Sequence, residues 1–300
     1  MKLKIILPAL LTVVLASGCA QLPTAKPVIA PRASKPPYPE VTIDGVAGFQ
    51  DTPMEPDGKW HVHDPARPQP PIVTPGSFSE QATPPSDAFV LFDGKDLSQW
   101  VDKASGGPVG WTVADGVATS AKGDIQTTNQ FGSLQLHLEF REPTPPRGDG
   151  QSRGNSGVFL MGRYEIQVLD CYNNKTYADG ATGGIYGQHP PLANACRPPG
   201  EWQTYDIIFT PPNFGVPYVV QGHGKGYLRY RNLVTPGYVT VIHNGVVLQN
   251  HQAIRGSTNW RVPGTYTPHG PTGPLALQYH NNSVSFRNIW VRPIPVVNDP

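Results

Sequence analysis

The chain has 300 residues, 15% of them charged, and its 23 Lys and Arg against 22 Asp and Glu leave a formal net charge of +1. No Lys/Arg run follows the first few residues, which excludes the basic stripe with interleaved aromatics that a nucleic-acid partner requires. Its 32 glycines and 35 prolines, the scarcity of apolar residues at i, i+3, i+4 spacing and the many short alternating runs exclude a helical protein and point to an all-β domain with long loops.

Lys2 and Lys4 precede an apolar run that ends at Ala16-Ser17-Gly18-Cys19. The run is shorter than the roughly 20 residues that span a bilayer, so residues 1–18 read as an export signal. Small residues followed by cysteine resemble a bacterial lipobox. That resemblance implies cleavage before Cys19, acylation of its thiol, and an exported protein held to a membrane of the cell envelope by lipid. Ala20, where an aspartate would retain the protein, implies the outer membrane. An ordinary cleaved signal with an incidental cysteine is the alternative.

Prolines recur from Gln21 to Ser86, and residues 19–86 are expected to be tether and strap. As far as Pro39 the composition suits a semi-rigid spacer. Beyond it, Trp60, Val62, Ile72 and Val73 carry enough apolar surface to lie across a domain, with contact expected to begin between Val41 and Trp60. His61 and His63 in "HVHD" share one side of an extended run and are read as structural.

The folded domain is expected over residues 87–295, with a short tail at 296–300. "FVLF" reads as a buried strand. Asp115-Gly116 separates two short alternating runs, a hairpin signal. "SLQLHLEF" alternates Leu134, Leu136, Leu138 and Phe140 with Gln135, His137 and Glu139, predicting one apolar and one solvated face. "NSGVFLMG" and "YEIQVLD" form a second hairpin around Gly162 and Arg163. "WQTYDIIF" follows, then "YVTVIHNGVVLQN" with a type I′ turn at Asn244-Gly245, "GPLALQYHN" and "VSFRNIWVRPI". Regularly spaced strands over this length predict one antiparallel β-sandwich of two large sheets, of the jelly-roll or lectin-like kind.

Export would place Cys171 and Cys196 in an oxidising compartment, where an isolated pair is expected to form a disulfide. The bond would close a loop of about 25 residues and contribute roughly 3 kcal/mol in the chain-entropy model. Its role would be positional.

The run "GRYEIQVLD" carries the candidate chemistry. In a strand Glu165, Gln167 and Leu169 share one face, and Tyr164, Ile166, Val168 and Asp170 the other. A bulge near Leu169 would bring Asp170 round to Glu165 and Gln167. The string Glu165 to Asp170 resembles the E-x-D-x-x-E strand of the laminarinase and lichenase β-glucanases, which use a lectin-like sandwich. It departs where an aspartate becomes Gln167 and a glutamate becomes Asp170. A retaining glycosidase needs two carboxyl groups about 5 to 5.5 Å apart, so β-glucan hydrolysis stands as an alternative.

Nine motifs in order resemble another family: "FVLFDGKDLSQW", "GWTVADG", "GNSGVFL", "YEIQVLD", "TGGIYG", "EWQTYDI", "HNG", "LQYH" and "FRNIWVRP" are similar to the 3-keto-disaccharide hydrolases. The resemblance runs from about Phe89 to Pro293. It implies an exported, concanavalin A-like sandwich that cleaves glycosides already oxidised at C3. A C3 ketone acidifies the C2 proton; a base removes it, the group at C1 leaves, and water adds to the resulting glycal. This route needs one base and donors for the enolate oxygen.

Under that resemblance Glu165 is the first candidate for the base and His280 its rival. Gln167 and Gln278 suit hydroxyl recognition, Asp170 would join them, and Asn155 and Tyr186 sit in glycine-rich loops that a ligand can approach. Arg153 and Arg287 could hold the enolate oxygen, although Arg287 could equally pair with Asp170. Tyr164, Tyr186, Trp202 and Tyr279 could stack on a sugar, most of them being expected in the core. A divalent ion held by Glu165 and His280 is an open alternative, with no ligand cluster at metal spacing in the sequence. A sugar C3-dehydrogenase would be a functional companion. A glycan-binding lipoprotein without chemistry and a surface scaffold are the non-enzymatic readings.

Overall fold

Leu134, Leu136, Leu138 and Phe140 alternate along the strand Leu134–Arg141 and are all buried in one apolar cluster shared with a second sheet. A computed structural model describes residues 38–221 and 227–295. The expected leader 1–18, Cys19, the tether to residue 37 and the tail 296–300 lie outside the described residues.

The larger sheet has eight strands. Seven follow in the order Val246–Ala253, Tyr238–His243, Gln203–Thr210, Leu134–Arg141, Ser285–Pro293, Val117–Thr119 and Thr112–Ala114, and Phe89–Phe92 also pairs with Ser285–Pro293. The smaller sheet has five, in the order Tyr164–Val168, Ser156–Leu160, Ala276–Leu277, Ile125–Thr127 and Trp100–Asp102. Pairings within both sheets are antiparallel. The expected β-sandwich is the fold observed.

Val158, Leu160, Tyr164, Ile166, Val168 and Leu277 of the smaller sheet pack in the same cluster as Leu136, Phe140, Ile207 and Phe286 of the larger. Each such side chain contributes about 1.5–3 kcal/mol by leaving water. Tyr205 adds a polar tie, its hydroxyl reaching 2.6 Å to the Gln167 carbonyl. The hairpin turns expected at Asp115-Gly116 and Asn244-Gly245 form, all four residues having the positive φ of a type I′ turn. Two short pairs without an expected counterpart, Asn213–Phe214 with Leu233–Thr235 and Tyr218–Gln221 with Tyr227–Tyr230, form two-stranded pieces separate from both large sheets. Among the described residues the only helical turns are short 3-10 segments, Gly150–Ser152 and Ala178–Gly180. No helix among them is long and apolar enough to cross a membrane.

The outer face of the larger sheet is not solvated as its alternation suggests. His137 and Glu139 are fully buried because residues 79–82 lie over them. Ser79 donates to Asp206, the Gln81 amide donates to Glu139, and the Ala82 carbonyl accepts from Asn288. His137 Nδ1 lies 2.7 Å from Asp206. Burial works against an ionised Glu139, but hydrogen bonds from His137, Asn288 and Arg287 hold its carboxyl down at about 2.

Arg287 belongs to this network. It bonds Glu139 at 2.7 Å and Glu80 at 2.8 Å and lies over the Trp202 ring. The expectation that it meets substrate or Asp170 is therefore corrected: it stands on the outer face of the sheet that does not carry the Glu165 strand. Trp202 is likewise committed, between Arg287 and Arg141.

The expected disulfide is corrected to a pair of buried free thiols. Cys171 and Cys196 are brought together beside Leu169 and Ala181, and the neighbouring Cys196 side chain holds the Cys171 thiol below its ordinary value. The two ends of the loop are joined by this packing.

Candidate active site

The strand Tyr164–Val168 is buried along its whole length. Tyr164, Ile166 and Val168 point into the sandwich, so the period of two turns Glu165 and Gln167 to the outer face of the smaller sheet. There the chain builds a cavity of about 610 Å³, within the range of roughly 300–1,000 Å³ common for small-molecule sites. Glu165, Gln167 and Phe159 line it from the sheet, with Gln278 and His280 just beyond the sheet's short Ala276–Leu277 strand. Gln151 and Asn155 come from the first 3-10 turn and its exit, Thr176, Tyr177 and Tyr186 from the loop around the second, and Thr258 to Arg261 from a later loop.

Glu165 is 5% exposed, and burial pushes its carboxyl up to about 8, against a smaller opposing influence of Lys103. Gly157 makes room for it: a Cβ built there would collide with Glu165 Oε1. The Gln167 amide lies 3.1 Å from Gln151 Oε1. Turned about its last bond, it donates to Glu165 Oε1 at 3.3 Å and to the Ser156 carbonyl at 3.1 Å. Asn155 is fixed by the Gln151 carbonyl at 2.7 Å. Amides held this way present their remaining donors and acceptors to hydroxyl groups.

Tyr177 and Tyr186 share a hydrogen bond of 2.8 Å between their hydroxyls. Burial raises both phenols well above their usual range, so they stay neutral donors. Behind them His63 stacks on Tyr177 with ring centroids 4.1 Å apart and lies 3.3 Å from Asp179, both members of the pair being wholly buried. The "HVHD" run read as structural thus supports the site.

The geometry separates the expected residues. Glu165, Gln167, Asn155, Tyr186, Gln278 and His280 meet at the cavity, with His280 exposed at its rim. Arg153 and Asp170 do not line it. They pair with each other at 2.7 Å, and Asp170 also caps the Tyr172 amide. Asp170 shares the alternation of the strand but falls after its last residue, Val168, so no bulge brings it to Glu165.

Residues 87–292 match the model of a family described as the 3-keto-alpha-glucoside-1,2-lyase-like domain. The chain belongs to this family. A solved Parabacteroides distasonis protein, provisionally named a glycosyl hydrolase, is 51% identical over 76% of this chain and 93% of its own, with a TM-score of 0.64. Two others from that organism, under the same provisional name, are 21% and 20% identical. The first covers 70% of this chain and 94% of its own with a TM-score of 0.49, the second 69% and 99% with 0.46. A comparison with curated proteins found no match.

The 3-keto-alpha-glucoside-1,2-lyase-like domain begins, by that match, at residue 87, yet Glu40, Ala47 and Phe49 also line the cavity. They come from the hairpin Val41–Ile43 with Val46–Gly48 and the residues at its two ends and were not legible as site residues. Gln151 and Tyr177 were missed too, although Gln151 adjoins the glycine-rich run Arg153 to Gly157. Arg261 had no sequence signal. Among the described residues no group of three or more His, Cys, Asp or Glu is arranged to hold a metal ion.

Proposed function

We propose that this protein cleaves 3-keto-glycosides by elimination, with Glu165 as the base. Family membership supports a carbohydrate-active, glycoside-acting enzyme. The finer reading is carried by one observation. Glu165 is a buried carboxyl raised to about 8 at the floor of an amide- and aromatic-lined cavity, and the other acid lining that cavity among the described residues, Glu40, is exposed on the strap.

A base near neutrality is well matched to a C2 proton acidified by a neighbouring ketone. Glu165 takes that proton, and the C2–H electrons form the enolate. The enolate oxygen is met by neutral donors, for which the Tyr177–Tyr186 pair is built. When the ketone re-forms, the C1–O bond breaks with both electrons going to the leaving oxygen, which takes up a proton. His280, at the rim of the cavity, would supply that proton. Addition of water across the C1–C2 double bond would then give the free 3-keto sugar. Paired opposed carboxylates, which a β-glucanase needs, are not required.

The chemistry implies an upstream oxidation of the C3 hydroxyl, a dehydrogenase reaction. Export and a lipid anchor at Cys19 remain part of the proposal on the strength of residues 1–20. Incubating the protein with a disaccharide and with its 3-keto derivative, and following products by mass spectrometry, tests the reading. Cleavage of the 3-keto compound alone is expected. Cleavage of the unoxidised disaccharide would restore the β-glucanase reading, and retention of either without cleavage would leave a binding protein.

A further inference from the structure

Among the described residues Arg261 is a cation that no carboxylate answers. Its guanidinium carbon lies 3.9 Å from the Phe49 ring centroid and 3.9 Å from that of Trp260. Its Nη1 donates to the Tyr38 carbonyl at 3.3 Å, and its Nε is buried without a partner. A second cavity-lining cation, Lys175, is held in the same manner, its ammonium donating to the Asp44 carbonyl at 2.9 Å. Both charges are thus fixed by neutral carbonyls of the strap, whose Glu40, Ala47 and Phe49 complete the wall.

This wall stands at the opening. Trp260 is 62% exposed and Glu40 and His280 are exposed, whereas Glu165 is 5% exposed. If C2 of the reacting sugar sits at Glu165, the substituent on C1 has to extend away from the floor, toward the strap. A second sugar ring there would find what it needs: an open aromatic face for its C–H groups and fixed N–H donors for its hydroxyls.

We propose that strap residues 38–49 together with Trp260 and Arg261 form the subsite for the leaving group, and that Arg261 determines which leaving group is accepted by donating to its oxygens. The proposal rests on the elimination reading for the position of C2. It makes a segment that precedes the family match a working part of the site, selecting glycosides with a hydroxyl-rich leaving group such as a second sugar.

The test compares a 3-keto-disaccharide with the methyl 3-keto-glucoside, whose methoxy group is too small to reach the wall. For Arg261→Gln and for Trp260→Ala, the ratio of kcat/KM on the disaccharide to that on the methyl glycoside is expected to fall about tenfold, chiefly through KM. Trp260 is exposed, so its variant folds even where the Arg261 variant does not. An equal loss on both substrates, or none, overturns the subsite. If the wild type cleaves neither compound, the elimination reading fails by itself. The subsite is then judged by quenching of tryptophan fluorescence on adding the disaccharide: a Kd weakened by Arg261→Gln retains it, and an unchanged Kd or no binding overturns it.

Discussion

The hydroxyls of Tyr177 and Tyr186 lie 2.8 Å apart in the wall of the cavity that holds Glu165. Each phenol is raised by burial, so the pair enters the reaction neutral and can donate to developing negative charge without first losing a proton. Removing one preorganised donor of this kind typically costs about 10²- to 10³-fold in kcat. Tyr186→Phe is therefore expected to lower kcat on a 3-keto-disaccharide by that amount with little change in KM or melting temperature. A fall confined to KM would make the pair a binding element instead.

Glu165 should impose its own pH dependence. Burial raises its carboxyl to about 8, and a base acts only when deprotonated, so kcat/KM is expected to climb with pH and level off above about 8. Glu165→Gln should abolish that climb and lower turnover by about 10²- to 10⁴-fold. A profile flat from about pH 6 to 9 would remove Glu165 from the role of base.

The same shift has a sign for stability. A carboxyl raised on folding contributes stability that is fully present below its ordinary value of 4.5 and is lost as pH rises through about 8. Glu165→Gln keeps the shape without the ionisation. The variant is thus expected to gain on the wild type between pH 5 and pH 8, by on the order of 4 kcal/mol at most. Thermal melts of both proteins at the two pH values measure it, and a gap independent of pH would contradict it.

Gly157 is required by contact and not by backbone conformation. A methyl at this position would occupy the space of Glu165 Oε1, and the strand Ser156–Leu160 that carries it is paired on both sides. Gly157→Ala is expected to displace the carboxyl and reduce kcat by about 10²-fold, as misplacement by about 1 Å can. Antiparallel pairing, read by circular dichroism, should persist. Full activity would mean that the carboxyl is free to move.

His63 and Asp179 join residues 116 apart in sequence and are both wholly buried. Breaking such a pair from one side leaves an uncompensated polar group and costs about 3–5 kcal/mol. Asp179→Ala should lower the melting temperature by roughly 10 °C and weaken catalysis through Tyr177, on which His63 stacks. Burial opposes the charge, but His63 and Arg67 hold the Asp179 carboxyl below its ordinary value. Its stabilisation is accordingly present at neutral pH and lost only as pH falls through the folded value. The difference between wild type and variant should narrow as the pH falls far enough to protonate Asp179.

Local pattern was enough for the sandwich and for part of the site. The period of two in "SLQLHLEF" and "YEIQVLD", with paired positive-φ turns at Asp115-Gly116 and Asn244-Gly245, specifies antiparallel strands and which side chains face the core, because both signals act over a few residues. The same alternation put Glu165 and Gln167 on one face, and glycine-rich loops marked Asn155 and Tyr186. Tertiary structure decided what lay over each face. His137 and Glu139 looked solvated and are covered by residues 79–82, Arg287 looked available and is bound there, and Asp170 was claimed by Arg153. Tyr177, Phe49 and Arg261 reach the cavity only because distant segments close over one sheet. Alternation records that a side chain leaves the core, while long-range packing alone determines whether it meets water, a strap or a sugar-sized space.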